Sequence, residues 1–196
     1  EFDTIYFEHL SYFSILPLNR LCTTTGMKII DVEKQAIHGG TVRVTLVQAA
    51  SVWKVRANVE HFMTAEQALG VGQFEWYVGW ASSVQTLIAN FSEQLVGLKM
   101  AGKKIAAFAA SAKGNTLLNS ANIGTDIIDY IVDETPEKIG KFSPGTGIPI
   151  VHKQTLIKNP PDYLVILSWN FAEEIMEKLE PIYHGRFIIP QVGQSV

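Results

Sequence analysis

Apolar side chains recur with helical spacing through the middle of the chain. They occupy Phe74, Tyr77, Ala81, Val84, Ile88, Phe91, Leu95 and Leu98, so that steps of three and four residues alternate. This spacing predicts one amphipathic helix of about 27 residues. Gly102 is placed to end it, since glycine commonly follows the last helical residue. We expect the apolar stripe of the helix to be buried against its own domain; a coiled-coil partner is the alternative.

Shorter apolar runs follow the long helix and alternate with helical patterns. Runs of strand length occupy residues 104–110, 126–132, 148–151, 163–169 and 186–189, with helical patterns at residues 116–123 and 171–179. Strands separated by helices imply parallel strands joined by crossover connections. We therefore predict an α/β fold in which residues 103–196 form a Rossmann-like, doubly wound C-terminal domain with a mainly parallel sheet. Its ligand is expected beyond the carboxyl ends of the strands.

The first quarter of the chain predicts a small piece of sheet. Residues 4–7 are aromatic and β-branched and indicate a strand, and residues 15–25 indicate a helix. Residues 27–32 and 42–48 predict two strands, joined by a turn at Gly39 and Gly40. These elements are too few to enclose a core. We therefore interpret residues 1–48 as the end of a domain that begins before Glu1, and residues 49–102 as a helical connection.

Composition narrows the class of protein. The 196 residues are 47% hydrophobic and 18% charged, which is typical of a globular protein. The net charge of -3 argues against a general nucleic-acid binder. Cys22 has no second cysteine to pair with, so we expect a small buried side chain and no metal site in this chain. No apolar run reaches the ~20 residues of a membrane helix, and no basic leader precedes one; we expect a cytoplasmic protein without a membrane partner.

Three loops after the predicted strands carry groups that suit a ligand. Backbone N–H groups at a helix start attract anions, and the second loop, residues 133–149, is long enough to be functional. In the third loop, Trp169 could stack on a base or sugar and Asn170 could cap the next helix; capping and packing explain this loop as well as ligand contact does. For the first loop, residues 111–116, an ordinary turn between a strand and a helix remains the alternative. The candidate ligand contacts are Lys113, Gly114, Asn115, Thr116, Lys138, Lys141, Thr146, Trp169 and Asn170.

The segment Tyr6-Phe7-Glu8-His9 combines groups suited to proton transfer. A regular strand would place Tyr6 and Glu8 on the same face, with His9 at the strand end. The reference pKa of histidine, about 6.5, suits removal of a proton near neutral pH. A carboxylate can fix its tautomer, and a tyrosine hydroxyl can donate to a developing oxyanion. An exposed histidine at a strand end, without function, is the alternative.

Several segments follow one another in the order found in a known family. Residues 6–12 match a Tyr-x-Glu-His-x-x-Tyr pattern, and residues 37–43 match a His-Gly-Gly-Ser-x-Arg hairpin in which Thr41 replaces serine. Residues 112–119, 133–140, 144–149, 161–163 and 168–171 continue the likeness over nearly the whole chain. The chain thereby resembles the S-adenosylmethionine-dependent sugar C-methyltransferases, which methylate a carbon of nucleotide-linked ketodeoxysugars.

The resemblance implies a longer protein and specific roles. Members have a zinc-binding N-terminal domain, a methyltransferase domain and a Rossmann-like C-terminal domain. Residues 1–48 would be the last strands and helix of the methyltransferase domain. The zinc and most of the S-adenosylmethionine site would then lie in the missing domains, and the isolated chain is expected to be inactive. His9 would be the general base, Glu8 its orienting or substrate-hydroxyl partner, and Tyr6 a polar contact near the oxyanion.

Two other functions stay open on the sequence. A non-catalytic module that binds nucleotide sugars would need only the C-terminal domain. An oxidoreductase would use the Rossmann-like domain for a dinucleotide, but the chain has no Gly-x-Gly-x-x-Gly segment. A glycine-rich methyl-donor motif upstream of Glu1 would favour the methyltransferase.

Overall fold

The computed structural model describes residues 2–35 and 41–190. These residues form two compact units. Residues 10–82 are called the hairpin unit, and residues 2–9 together with 83–190 are called the sheet unit. The hairpin unit therefore interrupts the sheet unit in the sequence. The sequence assigns residues 1–48, 49–102 and 103–196 to three regions of a longer protein. These domain boundaries stay a prediction.

The hairpin unit is built on one antiparallel strand pair. Its elements are α1 (Ile15–Thr24), β1 (Met27–Gln35), β2 (Thr41–Gln48) and α2 (Ala57–Ala68). Met27 pairs with Gln48 at one end of the hairpin and Gln35 with Thr41 at the other. The predicted helix and both predicted strands are thus confirmed, and the turn expected at Gly39 and Gly40 lies outside the described residues.

The core of the hairpin unit lies between β1 and the two helices. It contains Ile15, Cys22, Ile29, Val32 and Val59, so Cys22 is the small buried side chain that the sequence predicts. The Glu66 carboxylate on α2 accepts the backbone N–H groups of Ile15 and Leu16 at 2.7 and 2.8 Å. These two donors lie at the start of α1, where no carbonyl of the helix can accept them. Glu66 therefore ties α2 to α1.

The long helix α3 (Phe74–Met100) has the 27 residues that the apolar spacing predicts. Phe91 and Leu95 are buried, whereas Phe74 is 76% exposed and Tyr77 45%. The expectation that the whole stripe is buried is therefore wrong for its first half. Spacing determines which side of a helix is apolar, but it does not determine whether the rest of the chain covers that side.

The sheet unit contains five parallel strands among the described residues. The elements are β3 (Ile105–Phe108), α4 (Ala112–Ser120), β4 (Ile131–Val132), β5 (Ile150–Val151), α5 (Gln154–Lys158), β6 (Tyr163–Ile166), α6 (Ala172–Leu179) and β7 (Arg186–Ile188). The spatial order is β5-β4-β3-β6-β7, with every pair parallel. This is the doubly wound order, which reverses between β3 and β6. The predicted Rossmann-like α/β fold is confirmed.

The strands are shorter than their apolar runs. Only the last two residues of the run 126–132 are strand, because Ile127 and Ile128 donate backwards to Gly124 in a turn. In the run 163–169, the strand stops at Ile166 and Trp169–Phe171 form a 3-10 helix. The apolar residues beyond the strands are still buried, as Ile128 and Leu167 show. Burial rather than pairing therefore accounts for the length of these runs.

The described residues contain neither a membrane-spanning helix nor a cluster of metal ligands. No helix of residues 2–35 and 41–190 is long and apolar enough to cross a bilayer. In the same residues, no group of three histidine, cysteine, aspartate or glutamate side chains is arranged to hold a metal ion.

Candidate active site

The start of α4 lies where the strand order reverses, between the carboxyl ends of β3 and β6. Ser111 fixes this start, because its Oγ accepts the Gly114 N–H at 3.0 Å and donates to the Leu167 carbonyl at 2.9 Å. The cap explains why the helix begins at Ala112, ahead of the predicted residue 116. A Cβ on Gly114 would lie 2.5 Å from Cβ of Leu167, so glycine is needed for α4 to pack on the end of β6.

The loop after β4 is fastened to the same place. Lys138 donates its Nζ to the Ala110 carbonyl at 2.9 Å and lies 3.5 Å from the Asp133 carboxylate. Asp133 in turn accepts the backbone N–H groups of Ala110 at 2.7 Å and Thr135 at 2.8 Å. Burial alone would raise the pKa of Asp133, but the hydrogen bonds from Thr135 and Ala110 and the charge of Lys138 together hold this pKa below its ordinary value.

The same loop also reaches the far end of α4. The side-chain amide of Asn119 donates to the Pro144 carbonyl at 3.1 Å. Gly145 follows with φ +79, and a Cβ there would overlap the Asn119 side chain. Thr146 shares a 2.6 Å hydrogen bond with Ser143, whose Oγ also accepts the Ile148 N–H. Thr146 therefore stabilises the conformation of the loop through a hydrogen bond within the loop.

Residues 2–9 form a compact coil instead of the predicted strand. Phe2–Thr4 make a 3-10 turn, and the Tyr6 carbonyl accepts the His9 N–H at 2.9 Å. Phe2 and Asp3 are buried, whereas Phe7 is 86% exposed. The strand prediction for residues 4–7 is wrong because the apolar anchor of this segment is Phe2, and Tyr6 and Phe7 have no neighbouring strand to pair with in the described residues.

The coil packs on α4 through two contacts. The Asp3 carboxylate is completely buried, and the Lys113 ammonium lies 3.1 Å from its Oδ2. One turn further along α4, the single hydrogen of the Thr116 hydroxyl is shared between the Ala112 carbonyl of its own helix at 3.2 Å and the Ile5 carbonyl at 3.4 Å. Lys113 and Thr116, which the sequence proposes as ligand contacts, thus contact the segment that carries His9.

The geometry of His9 determines which ring nitrogen carries the proton. Nδ1 lies 2.8 Å from the Thr4 carbonyl oxygen. A carbonyl can only accept, so Nδ1 carries a proton, and in the neutral imidazole Nε2 then holds the lone pair. The Tyr6 ring lies beside the imidazole, with 4.2 Å between ring centroids. His9 is exposed, which leaves it accessible to a ligand.

The structure brings together part of the predicted site. Tyr6 and His9 are in contact, and Glu8 lies exposed in the same coil. In the loops, Gly114 is buried, Asn115, Thr116 and Trp169 are half-buried, and Lys141 and Asn170 are exposed. Asn170 lies within the 3-10 helix Trp169–Phe171, whose N-cap position is Ser168. The N-cap of the next helix, α6, is Phe171. The prediction that Asn170 caps this helix is therefore wrong.

Sequence reasoning missed the two aspartates that hold this region together. Asp3 pairs with a lysine that is 110 positions away in the chain, and no local pattern connects them. Asp133 gave a weak signal, since a carboxylate directly after an apolar strand run stands at the edge where the loops meet. Its partners at Ala110 and Thr135 are backbone groups, which leave no trace in the sequence.

Comparison with known proteins gives two matches. A family model described as "C-methyltransferase C-terminal domain" matches residues 36–191. C-methyltransferase NovU of Streptomyces niveus is 34% identical over 192 residues, which are 97% of this chain. The matched region is 46% of that relative, so the chain spans about half the length of the curated protein it matches.

Proposed function

Because this chain belongs to the C-methyltransferase C-terminal-domain family, we propose that it is the C-terminal part of an S-adenosylmethionine-dependent enzyme that methylates a carbon of a nucleotide-linked ketodeoxysugar. Membership of this family supports a role in methyl transfer. The substrate class and the proton-transfer chemistry below are our proposal. The observation that carries them is the hydrogen bond from Nδ1–H of His9 to the Thr4 carbonyl, which makes Nε2 the basic nitrogen of the neutral imidazole.

The reaction needs a base before it needs a methyl group. A carbon beside a ketone becomes nucleophilic when its proton leaves and the C–H electron pair forms an enolate. In our proposal, Nε2 of His9 takes this proton, and the resulting imidazolium keeps its Nδ1–H hydrogen bond to the Thr4 carbonyl. The Tyr6 hydroxyl donates to the enolate oxygen. Glu8 orients His9 or binds a sugar hydroxyl.

The methyl donor does not fit the described residues. S-adenosylmethionine supplies the methyl group in this reaction class, and its usual cradle is a glycine-rich turn between a strand and a helix. Here the turn from β3 to α4, residues 109–111, contains no glycine. Gly114 lies in the first turn of α4, and Leu167 already occupies the space beside it. We therefore propose that the donor site, and any zinc site, lie in the part of the protein outside this chain.

The nucleotide portion has a proposed place along the three loops at the start of α4. Asn115, Trp169 and Asn170 supply polar and aromatic groups there, and we propose Lys141 as a cation from the same long loop. Thr146 lies towards the far end of α4, so we do not assign it to this place. The ammonium groups of Lys113 and Lys138 lie beside buried carboxylates, which neutralise much of their charge. We therefore assign most of the attraction for phosphate to exposed Lys141 and to the backbone N–H groups of α4.

The test separates proton removal from methyl transfer. The complete gene product is incubated in D₂O with a thymidine-diphosphate-linked ketodeoxysugar and no methyl donor. We expect the hydrogen beside the ketone to exchange, because the base acts before the methyl group arrives. Adding labelled S-adenosylmethionine should then place label on the same carbon. Label on oxygen, or no label with any ketosugar, would reject the proposed reaction, and tight sugar binding without exchange would favour the binding module.

A further inference from the structure

The two contacts between residues 2–9 and α4 occupy one face of the helix. Lys113 and Thr116 are three residues apart, which places their side chains on neighbouring turns of the same side. Lys113 reaches Asp3, and Thr116 reaches the carbonyl of Ile5. The two anchored residues thus flank Thr4, the residue whose carbonyl holds His9.

The Asp3–Lys113 ion pair is shielded from water to an extent that makes its loss costly for stability. Asp3 is completely inaccessible, and the Lys113 side chain is 21% exposed. No described residue donates a well-directed hydrogen bond to either Asp3 oxygen. The nearby ammonium of Lys113 therefore compensates a charge that is otherwise costly to bury, and removing one partner of such a pair is strongly destabilising.

Short-range hydrogen bonds transmit this anchoring to the imidazole. The Thr4 carbonyl accepts the Tyr6 N–H at 3.0 Å as well as Nδ1 of His9 at 2.8 Å. The Phe2 carbonyl accepts the Ile5 N–H at 2.9 Å. Because the coil is this tight, displacement of Asp3 or Ile5 would move the carbonyl that selects the tautomer of His9.

We propose that Lys113 and Thr116 are positioning residues for His9: they hold residues 2–9 on α4 so that the Thr4 carbonyl keeps the proton on Nδ1 and leaves Nε2 as the base. This inference rests on the proposed function for its catalytic consequence, but its structural part can be measured without any reaction. It replaces the sequence-based expectation that Lys113 binds phosphate.

The first measurement is the tautomer itself. The 196-residue chain, labelled with ¹⁵N at histidine, reports Nδ1 and Nε2 of His9 by their chemical shifts. We expect wild type to give one tautomer, protonated at Nδ1. Lys113→Met and, more weakly, Thr116→Val should give a mixture of both tautomers, since an unanchored imidazole in water samples both. A single Nδ1-protonated form in Lys113→Met would overturn the proposal.

A matched control removes an ion pair elsewhere in the sheet unit. Lys99 lies 2.7 Å from Asp129, and Lys99→Met should leave the His9 signals unchanged. If Lys113→Met fails to fold, the double variant Asp3→Asn/Lys113→Met removes both charges together, so that the tautomer of His9 can still be measured. We expect it to fold and still to give mixed tautomers; a pure Nδ1-protonated form there would count against the anchor.

The second measurement is kinetic and uses the complete gene product. We expect Lys113→Met to reduce kcat for hydrogen exchange about 10–100-fold, as a misplaced catalytic group does, with little change in KM for the thymidine-diphosphate sugar. A raised KM with unchanged kcat would instead make Lys113 a phosphate contact and overturn the proposal. If wild type itself catalyses no exchange, the proposed function fails, whereas the tautomer measurement still decides the anchor.

Discussion

His9 and Asp133 are the residues in which local chemistry is most sharply set by neighbours. A carbonyl holds the Nδ1 proton of His9, and three donors face the buried carboxylate of Asp133. In both cases a backbone group determines the state of the side chain. Substitutions at these positions therefore test electrostatics more than packing.

Replacing His9 with asparagine should separate turnover from binding. Asparagine is polar and of similar reach, but it cannot take up a proton near neutral pH. We expect His9→Asn to lower the exchange rate about 10²–10⁴-fold while the affinity for the nucleotide sugar changes little. His184→Asn, an exposed histidine of the same unit, is the control. Wild-type exchange in His9→Asn would assign the base to another group, with Tyr6 and Glu8 next to test.

Replacing Asp133 with asparagine should make stability less dependent on pH. The pKa of Asp133 is lower in the folded chain than in the unfolded one. The carboxylate therefore adds stability above its unfolded pKa of about 3.9, and this contribution disappears as pH falls through the folded pKa. We expect Asp133→Asn to lower the free energy of unfolding at pH 7 by about 2–3 kcal/mol.

Urea unfolding at several pH values checks the sign of this effect. The difference in free energy between wild type and Asp133→Asn should narrow as pH falls below about 4. Asp126→Asn, at an exposed position, should show almost no difference at any pH. An undiminished gap at pH 3 would mean that shape, and not charge, makes Asp133 important.

Among the elements of the described residues, α4 contacts several parts of the proposed site. Its start is capped by Ser111, its second turn faces residues 2–9, and its last turn meets Pro144. The sequence places a helix here but not its packing. Glycine at position 114 looks like a flexible loop residue, whereas the structure uses it to let a helix touch a strand end.

Paired substitutions of helical glycines test the packing of α4. Gly114→Ala would put a Cβ 2.5 Å from Leu167, and we expect it to destabilise the chain by about 1–3 kcal/mol. Gly97→Ala in α3 meets nothing within 4 Å and should stabilise by about 0.5–1 kcal/mol, because alanine favours a helix. Thermal unfolding compares the two. A neutral Gly114→Ala would show that α4 can move away from β6 at little cost.

The elements also show which patterns are readable from sequence. The bounds of α3 follow from its spacing, and the parallel sheet follows from alternating runs. The coil of residues 2–9 was missed because Thr4, Ile5, Tyr6 and Phe7 have the composition of a strand, while their environment offers no strand to pair with in the described residues. Composition reports local preference, and the contact with α4 overrides it here.

At the scale of the molecule, the proposed chemistry is divided between this chain and the rest of the protein. The residue that we propose as the base and the loops that we propose for the nucleotide lie in the sheet unit, and the described residues offer no cradle for the methyl donor. We therefore expect the 196-residue chain alone not to bind S-adenosylmethionine. Calorimetric titration, with the complete gene product as the positive control, measures this. Micromolar binding by the chain alone would contradict our assignment of the donor site.

The contact between Thr116 and Ile5 joins residues 111 positions apart, and this separation has a consequence for how the protein is made. A ribosome adding about 5–20 residues per second needs roughly 5–20 s to extend the chain from one partner to the other. During that interval the segment with His9 has left the ribosome without the helix that holds it. The arrangement that we propose for His9 therefore forms only after α4 has been made. A nascent chain released before α4 would carry the histidine but not its fixed tautomer, so premature termination should yield a product without base activity, whatever domains it has already folded.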